Sequence, residues 1–166
     1  MSNFQVKCKL LFDFLISFCA LLILFPIILI AWIFASIETR SNGFFFQKRV
    51  GQNGKLFMMI KIKTMRELDG FTSTVTTSDD IRITKSGAFL RKTKIDELPQ
   101  LWNIFLGQMS FVGPRPDVEG YADKLVNFDK IILSVRPGIT GPAQLTYRNE
   151  ELLLASQDNP VRYNDD

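Results

Sequence analysis

FLISFCALLILFPIILIAWIFA, residues 14–35, carries no charged residue and matches the run of about 20 apolar residues that a helix needs to cross a bilayer. That uninterrupted length favours a membrane segment over the core helix of a soluble helical module. A cleaved signal peptide fits poorly, because the run is too long and the following SIETR, residues 36–40, is a poor cleavage site, so the segment is expected to be retained. Pro26 lies near its centre, where it removes a backbone hydrogen bond and crowds the preceding turn. Two topologies fit: a kinked helix that spans, which membranes tolerate, and a helix that enters, breaks and returns to the same side. Lys7 and Lys9 precede the run and Arg40, Lys48 and Arg49 follow it, so neither end is preferentially positive, and re-entry would leave both ends in the cytoplasm.

The whole chain has 166 residues, one domain's worth, and a single site is expected. A net charge of +3 with 22% charged residues lacks the concentrated basic face of a nucleic-acid binder, so no nucleic-acid partner is expected. Histidine is absent, which excludes imidazole general-base chemistry and histidine-bearing zinc sites. Cys8 and Cys19 are the only thiols, too few for a disulfide framework or a four-cysteine metal site. Chemistry therefore falls to carboxylates, lysines, tyrosines and hydroxyls.

Beyond the apolar run, FFFQKRVGQ and KLFMMIKIK flank Asn53-Gly54, a strong two-residue signal for a β-hairpin. Gly51 to Lys55 has the wrong spacing for a phosphate loop, and Leu56 stands where a Ser or Thr should follow the lysine. In an extended strand Phe57, Met59, Lys61 and Lys63 share one face, which can present ammonium groups or merely a solvated lysine edge. DGFTSTVTTSDD, residues 69–80, is polar and without period and reads as a loop. Leu98, Leu101, Trp102, Phe105 and Met109 recur at helical spacing, a stripe suited to a core or to a lipid headgroup zone.

FLRKTKIDELPQLWNIF, residues 89–105, sets Asp96 and Glu97 among Arg91, Lys92 and Lys94 at the start of that stripe. Thr93-Lys94-Ile95-Asp96 fits a capping box and Pro99 suits a first turn, so capping alone accounts for Asp96 but not for the surrounding cations. Gly113-Pro114-Arg115-Pro116 and Arg136-Pro137-Gly138 each place an arginine in a turn fixed by proline and opened by glycine. Solvated turns would explain either one. Together with the acidic pair and Arg91 they favour an anionic, phosphate-bearing substrate.

KIKTM (61–65), DIRIT (80–84), FLRKTKIDELPQLWNI (89–104), MSFVGPRP (109–116) and RPGITGPAQ (136–144) resemble the bacterial sugar transferase family of monotopic polyprenyl-phosphate phosphoglycosyl transferases. The resemblance extends from the apolar run to about Glu151. It implies an α+β fold with a re-entrant membrane helix within residues 1–40. A membrane-associated catalytic portion, residues 41–166, would carry the hairpin and amphipathic surface helices on the cytoplasmic face of the bacterial inner membrane. It also implies transfer of a sugar 1-phosphate from a UDP-sugar to undecaprenyl phosphate with release of UMP, the initiating step of surface glycan assembly. On the matching positions Asp96 would be the nucleophile and Glu97 would bind Mg2+, while Lys61, Arg91 and Arg115, with Arg136 more weakly matched, would contact phosphate or nucleotide. The sequence departs from the family's pattern where Phe25, rather than serine, precedes Pro26, where Lys63 is the second basic residue after Lys61, and where Pro142 replaces a common tryptophan. It ends at Asp166, where many relatives continue with a further amphipathic segment.

The implied chemistry is coherent in itself. A carboxylate can attack phosphorus, and cations offset the diphosphate charge. Splitting the transfer into two displacements keeps two anionic phosphates apart. The alternative is a non-enzymatic membrane scaffold that binds anionic lipid headgroups, which would need the basic residues but not the acidic pair.

Overall fold

The computed structural model describes residues 2–67, 80–120 and 122–146. Helix α1, Asn3–Thr39, begins at a capping box in which the Ser2 hydroxyl accepts from Gln5 N–H and the Gln5 side chain accepts from Ser2 N–H. It runs through Pro26 as one helix and closes at Arg40 with φ 52°, while the Thr39 hydroxyl donates back to the Ala35 carbonyl at 2.7 Å. Asp13, Ser17, Ile28, Ala31 and Ala35 are its buried positions and recur at helical spacing, so one stripe faces the rest of the chain. Small side chains at Ser17, Ala31 and Ala35 let the helix approach closely. The opposite face stays bare, with Leu22, Ile23 and Phe25 each 60% exposed or more. A soluble core helix would not leave so much apolar surface in water. Among the described residues, α1 is the one helix long and apolar enough to cross a membrane.

The expected hairpin forms from β1, Phe44–Val50, and β2, Leu56–Ile62, antiparallel, with Val50 opposite Leu56. The turn is longer than a two-residue connection. Residues 51–55 join the strands, and Gly51 N–H donates to the Lys55 carbonyl at 2.9 Å. Asn53 and Gly54 still take the left-handed conformations, φ 57° and 75°, that made the pair a turn signal.

Two helices follow the hairpin: α2, Lys85–Thr93, and α3, Gln100–Phe105. Thr84 caps α2 by accepting from Gly87 N–H at 2.9 Å, and Glu38 at the end of α1 accepts from Ser86 N–H at 3.0 Å. Negative charge at that helix start complements the dipole. Gly87 lies so close to the Thr64 carbonyl that a Cβ there would come within 2.2 Å of the oxygen, so only glycine lets α2 pack on the chain leaving β2. The apolar stripe from Leu98 to Met109 breaks up: α3 is short, and Gly107 at φ 73° ends it and turns Met109 into the core. Leu101 and Ile104 pack with Phe57, Met59 and Met109, whereas Phe105 stacks on Phe14 of α1 at 4.9 Å. Leu21 and Leu24 of α1 touch both this cluster and the one formed by Ile28, Ala31, Ala35, Ile62 and Leu90, so α1 seams the interior together.

Strands β3, Ser110–Val112, and β4, Gly138–Thr140, pair in parallel, and α4, Pro142–Thr146, follows. The α+β class is thus observed, with two two-stranded sheets among the described residues. The expected loop at 69–80 lies outside the described residues except for Asp80.

Candidate active site

Asp96 and Glu97 sit in a 3₁₀ turn, Ile95–Glu97, between α2 and α3. The capping expected of Thr93 and Asp96 does not occur. Thr93 is the last residue of α2, its hydroxyl donates back to the Phe89 and Leu90 carbonyls, and neither the 3₁₀ turn nor α3 has a side-chain cap. Lys94 breaks the helix in a left-handed conformation, φ 59°, donating its N–H to the Arg91 carbonyl. The break points Asp96 inward. Asp96 is 8% exposed, and its Oδ1 is buried without a hydrogen-bond partner.

An unsatisfied buried carboxylate oxygen costs stability, so its presence points to a chemical use. Burial raises the Asp96 carboxyl from 3.8 to about 6, with the Glu97 charge adding to the rise. Lys61, Arg91 and Lys94 pull the other way, so three cations lie close enough to act on this carboxylate. Lys61 Nζ donates to Glu97 Oε1 at 3.2 Å.

Two side chains that the sequence did not reveal hold these groups in place. Asn103 of α3, 1% exposed, accepts from Ile60 N–H at 3.1 Å and donates to the Met58 carbonyl at 2.7 Å and to Gln108 Oε1 at 2.8 Å. It clamps β2 beside Lys61 and so fixes that lysine relative to Glu97. Arg82 grips Asp80 through Nε and Nη2, at 2.6 Å for the shorter contact, and holds the Asp80 carboxyl below its ordinary value. Arg91, whose charge also acts on Asp80, extends Nη1 to the Thr64 hydroxyl at 3.4 Å. No sequence period marks Asn103, since a lone asparagine in an apolar helix resembles a surface residue until its carbonyl and amide meet a strand.

The two remaining arginines stand elsewhere. Arg115 lies beside Arg49 and Asp117; burial and the Arg115 charge lower the Arg49 guanidinium, while Asp117 opposes them. Arg49 is itself anchored, donating to the Pro116 carbonyl at 3.1 Å and to Gln47 Oε1 at 2.7 Å. The sequence had offered Arg49 only as a topological charge. Arg136 reaches over Gly107, just past the end of α3, where its charge complements the helix C-terminus. The glycines of the arginine turns serve the turns themselves. A Cβ on Gly113 would lie 2.3 Å from the Arg136 carbonyl and one on Gly138 2.2 Å from Gly113 N, so the two turns pack backbone to backbone.

A buried carboxylate with an oxygen that lacks a partner, a second acid beside it and cations around both lie next to a long apolar helix. The chain belongs to the bacterial sugar transferase family, whose model matches residues 4–164. It is 36% identical to a UDP-glucose:undecaprenyl-phosphate glucose-1-phosphate transferase of Xanthomonas campestris pv. campestris, over 97% of this chain and 34% of that protein. A protein of the same name from Klebsiella pneumoniae is 36% identical over 98% of this chain and 36% of its own length. The exopolysaccharide production protein ExoY of Sinorhizobium fredii is 36% identical over 84% of this chain and 69% of its own length. This chain thus spans about a third of the first two relatives.

Proposed function

We propose that the protein transfers a sugar 1-phosphate from a UDP-sugar to undecaprenyl phosphate through a covalent intermediate on Asp96, at the cytoplasmic face of the bacterial inner membrane. The observation that carries this reading is the buried, partnerless Oδ1 of Asp96 next to Glu97 and within reach of Lys61, Arg91 and Lys94. Its weight comes from the family membership and from the reaction for which two relatives are named.

In the first displacement an Asp96 oxygen attacks the phosphorus that bears the sugar. The bond from that phosphorus to the bridging oxygen breaks, and UMP leaves with the bridging oxygen. In the second, an oxygen of undecaprenyl phosphate attacks the same phosphorus and the aspartyl oxygen departs, which restores the carboxylate. Lys61, Arg91 and Lys94 offset the charge that builds on the phosphoryl oxygens, and burial strips water from the nucleophile. Arg115, standing with Arg49 away from Asp96, suits the nucleotide end of the donor rather than the reacting phosphorus.

The Glu97 carboxylate, partly open to solvent beside Asp96, is a hard oxygen donor of the kind that suits Mg2+. Glu97 would hold it. When bound it supplies a Lewis acid for the diphosphate.

Both ends of α1 touch the same folded body. Lys9 and Asp13 meet Ser110 near one end, and Glu38 meets Ser86 at the other. A helix standing across the bilayer would hold those ends on opposite sides, so the contacts support a monotopic protein with both ends of α1 on one side, although α1 shows no break at Pro26.

The test is to incubate the protein with UDP-sugars labelled in the sugar phosphate, without acceptor. One equivalent of UMP should be released and label should stay on the protein at Asp96, then move to undecaprenyl phosphate when that is added. UMP release that strictly requires the acceptor would exclude the covalent route.

A further inference from the structure

Between the second half of α1 and α2 runs an open apolar cavity of about 350 Å³, within the size range of small-molecule sites. Ile27, Ile30 and Phe34 of α1 and Phe89 of α2 line it with Ile95, and the buried Ala31 and Leu90 are its deepest residues. Ser86 also borders it, but its hydroxyl is given to Glu38 at 2.9 Å. Such walls have nothing to hydrogen-bond a uracil or a sugar.

The position of this groove decides what it holds. Ile95, which lines the groove, is the residue directly before Asp96, so the groove borders the turn that carries the partnerless carboxylate oxygen. Lys94, directly before Ile95, and Arg91, in the last turn of α2, are cations that act on Asp96. A ligand with an apolar tail and an anionic head therefore finds its tail site and its charge partners in sequence along one surface. The α1 wall belongs to the apolar run, and Ile30, Phe34 and Phe89 are 55–61% exposed, so the groove opens along the face that a bilayer would cover. Ordinary acyl chains would coat the whole bare side of α1. What distinguishes the groove is that Ile95, in the same turn as Asp96, lines it.

We infer that this groove seats the prenyl units nearest the phosphate of the lipid acceptor and so aims the acceptor phosphate at the sugar-phosphoryl group on Asp96. The inference rests on the transfer reaction proposed above and adds a binding site to it.

Two measurements test it. In vesicles of phosphatidylglycerol, a prenyl phosphate bearing a diazirine in the units next to the phosphate should label the peptides containing Ile30 and Phe89. Excess undecaprenyl phosphate should suppress the labelling and equal dioleoyl phosphatidic acid should not. Equal competition by phosphatidic acid, or labelling elsewhere, overturns the inference whatever the catalytic route. In the second, Ile30→Trp, which fills the groove from an exposed position, should lower kcat/KM for undecaprenyl phosphate at least tenfold and leave the single-turnover release of UMP without acceptor within twofold. Ile23→Trp, 74% exposed on α1 and outside the groove, serves as the control and should match wild type in both. Should Ile30→Trp keep the wild-type kcat/KM for undecaprenyl phosphate, the groove is not the acceptor site. Should the wild-type protein release no UMP without acceptor, the covalent route fails, and the labelling still judges the groove.

Discussion

Asp13 and Asp96 are both buried aspartates, 1% and 8% exposed, in opposite electrostatic situations. Asp13 is satisfied. Lys9 Nζ, one helical turn away, donates to its two oxygens at 2.6 and 2.7 Å, and the Ser110 hydroxyl donates at 2.9 Å. Ser110 N–H in turn donates to the Pro137 carbonyl, so this pair ties α1 to the strand between the two arginine turns. Asp96 has one buried oxygen that accepts no hydrogen bond, and the cations that act on it lie at a distance. The difference teaches how to tell a structural carboxylate from a reactive one: the first has all its hydrogen bonds, the second keeps a site open and bears the energetic cost.

The largest separation should come from Asp96→Asn. UMP release should fall by about 10³-fold or more, because an amide cannot attack phosphorus as a carboxylate does. The fold should gain. Ionising a group raised from 3.8 to about 6 costs stability that is fully present below pH ~4 and is lost as the pH rises through 6. In metal-free buffer at pH 8 the asparagine variant should therefore unfold with up to about 3 kcal/mol more stability than wild type. A variant that keeps wild-type turnover would make Asp96 as structural as Asp13.

Glu97→Gln comes next. Mg2+ affinity, read by calorimetry, should drop about 10- to 100-fold together with activity, because a neutral amide oxygen replaces a charged ligand. An unchanged affinity would remove Glu97 from the metal.

Asp13→Ala should show the reverse pattern to Asp96→Asn. It strands the Lys9 ammonium and the Ser110 hydroxyl, and should cost about 2 kcal/mol in denaturant unfolding. Turnover measured well below the unfolding midpoint should stay within about threefold of wild type. A loss as large as that of Asp96→Asn, in a folded protein, would erase the contrast between the two.

Lys61→Met should have the smallest effect on stability, under about 1 kcal/mol, since the Lys61–Glu97 pair is partly open to solvent, at 26% and 25% exposure. Its signature is a pH shift. Lys61 lowers the Asp96 carboxyl, so its removal should raise the midpoint of the metal-free stability profile above 6. A midpoint that stays put would place Lys61 too far away to steady charge on the phosphoryl group.

Local chemistry made some of this readable. Asn53-Gly54 announced the hairpin because both residues accept left-handed angles, and the turn grew longer only because Gly51 and Lys55 close it from outside. The apolar run announced α1 and its bare face, since no fold of this size could hide so much hydrocarbon. The acidic pair stood out against its cations, yet sequence alone left capping as an adequate account of Asp96. Asp13 drew no notice, because it precedes the uncharged run and its partner Ser110 lies 97 residues away. Asn103 was hidden for the same reason. The arginine turns were legible as turns, but their glycines serve the crossing of two backbones.

The sequence by itself determined the long apolar helix, the hairpin and the family, because each rests on a run of residues whose pattern or local torsion is complete within the run. Only the tertiary structure decided that Asp96 caps nothing and keeps a buried oxygen without a partner, that the charges of Lys61 and Arg91 act on it while Arg115 and Arg136 lie elsewhere, and that an apolar groove borders its turn. These are facts about which side chains meet after distant segments pack, and the burial that raises the Asp96 carboxyl arises only from that packing.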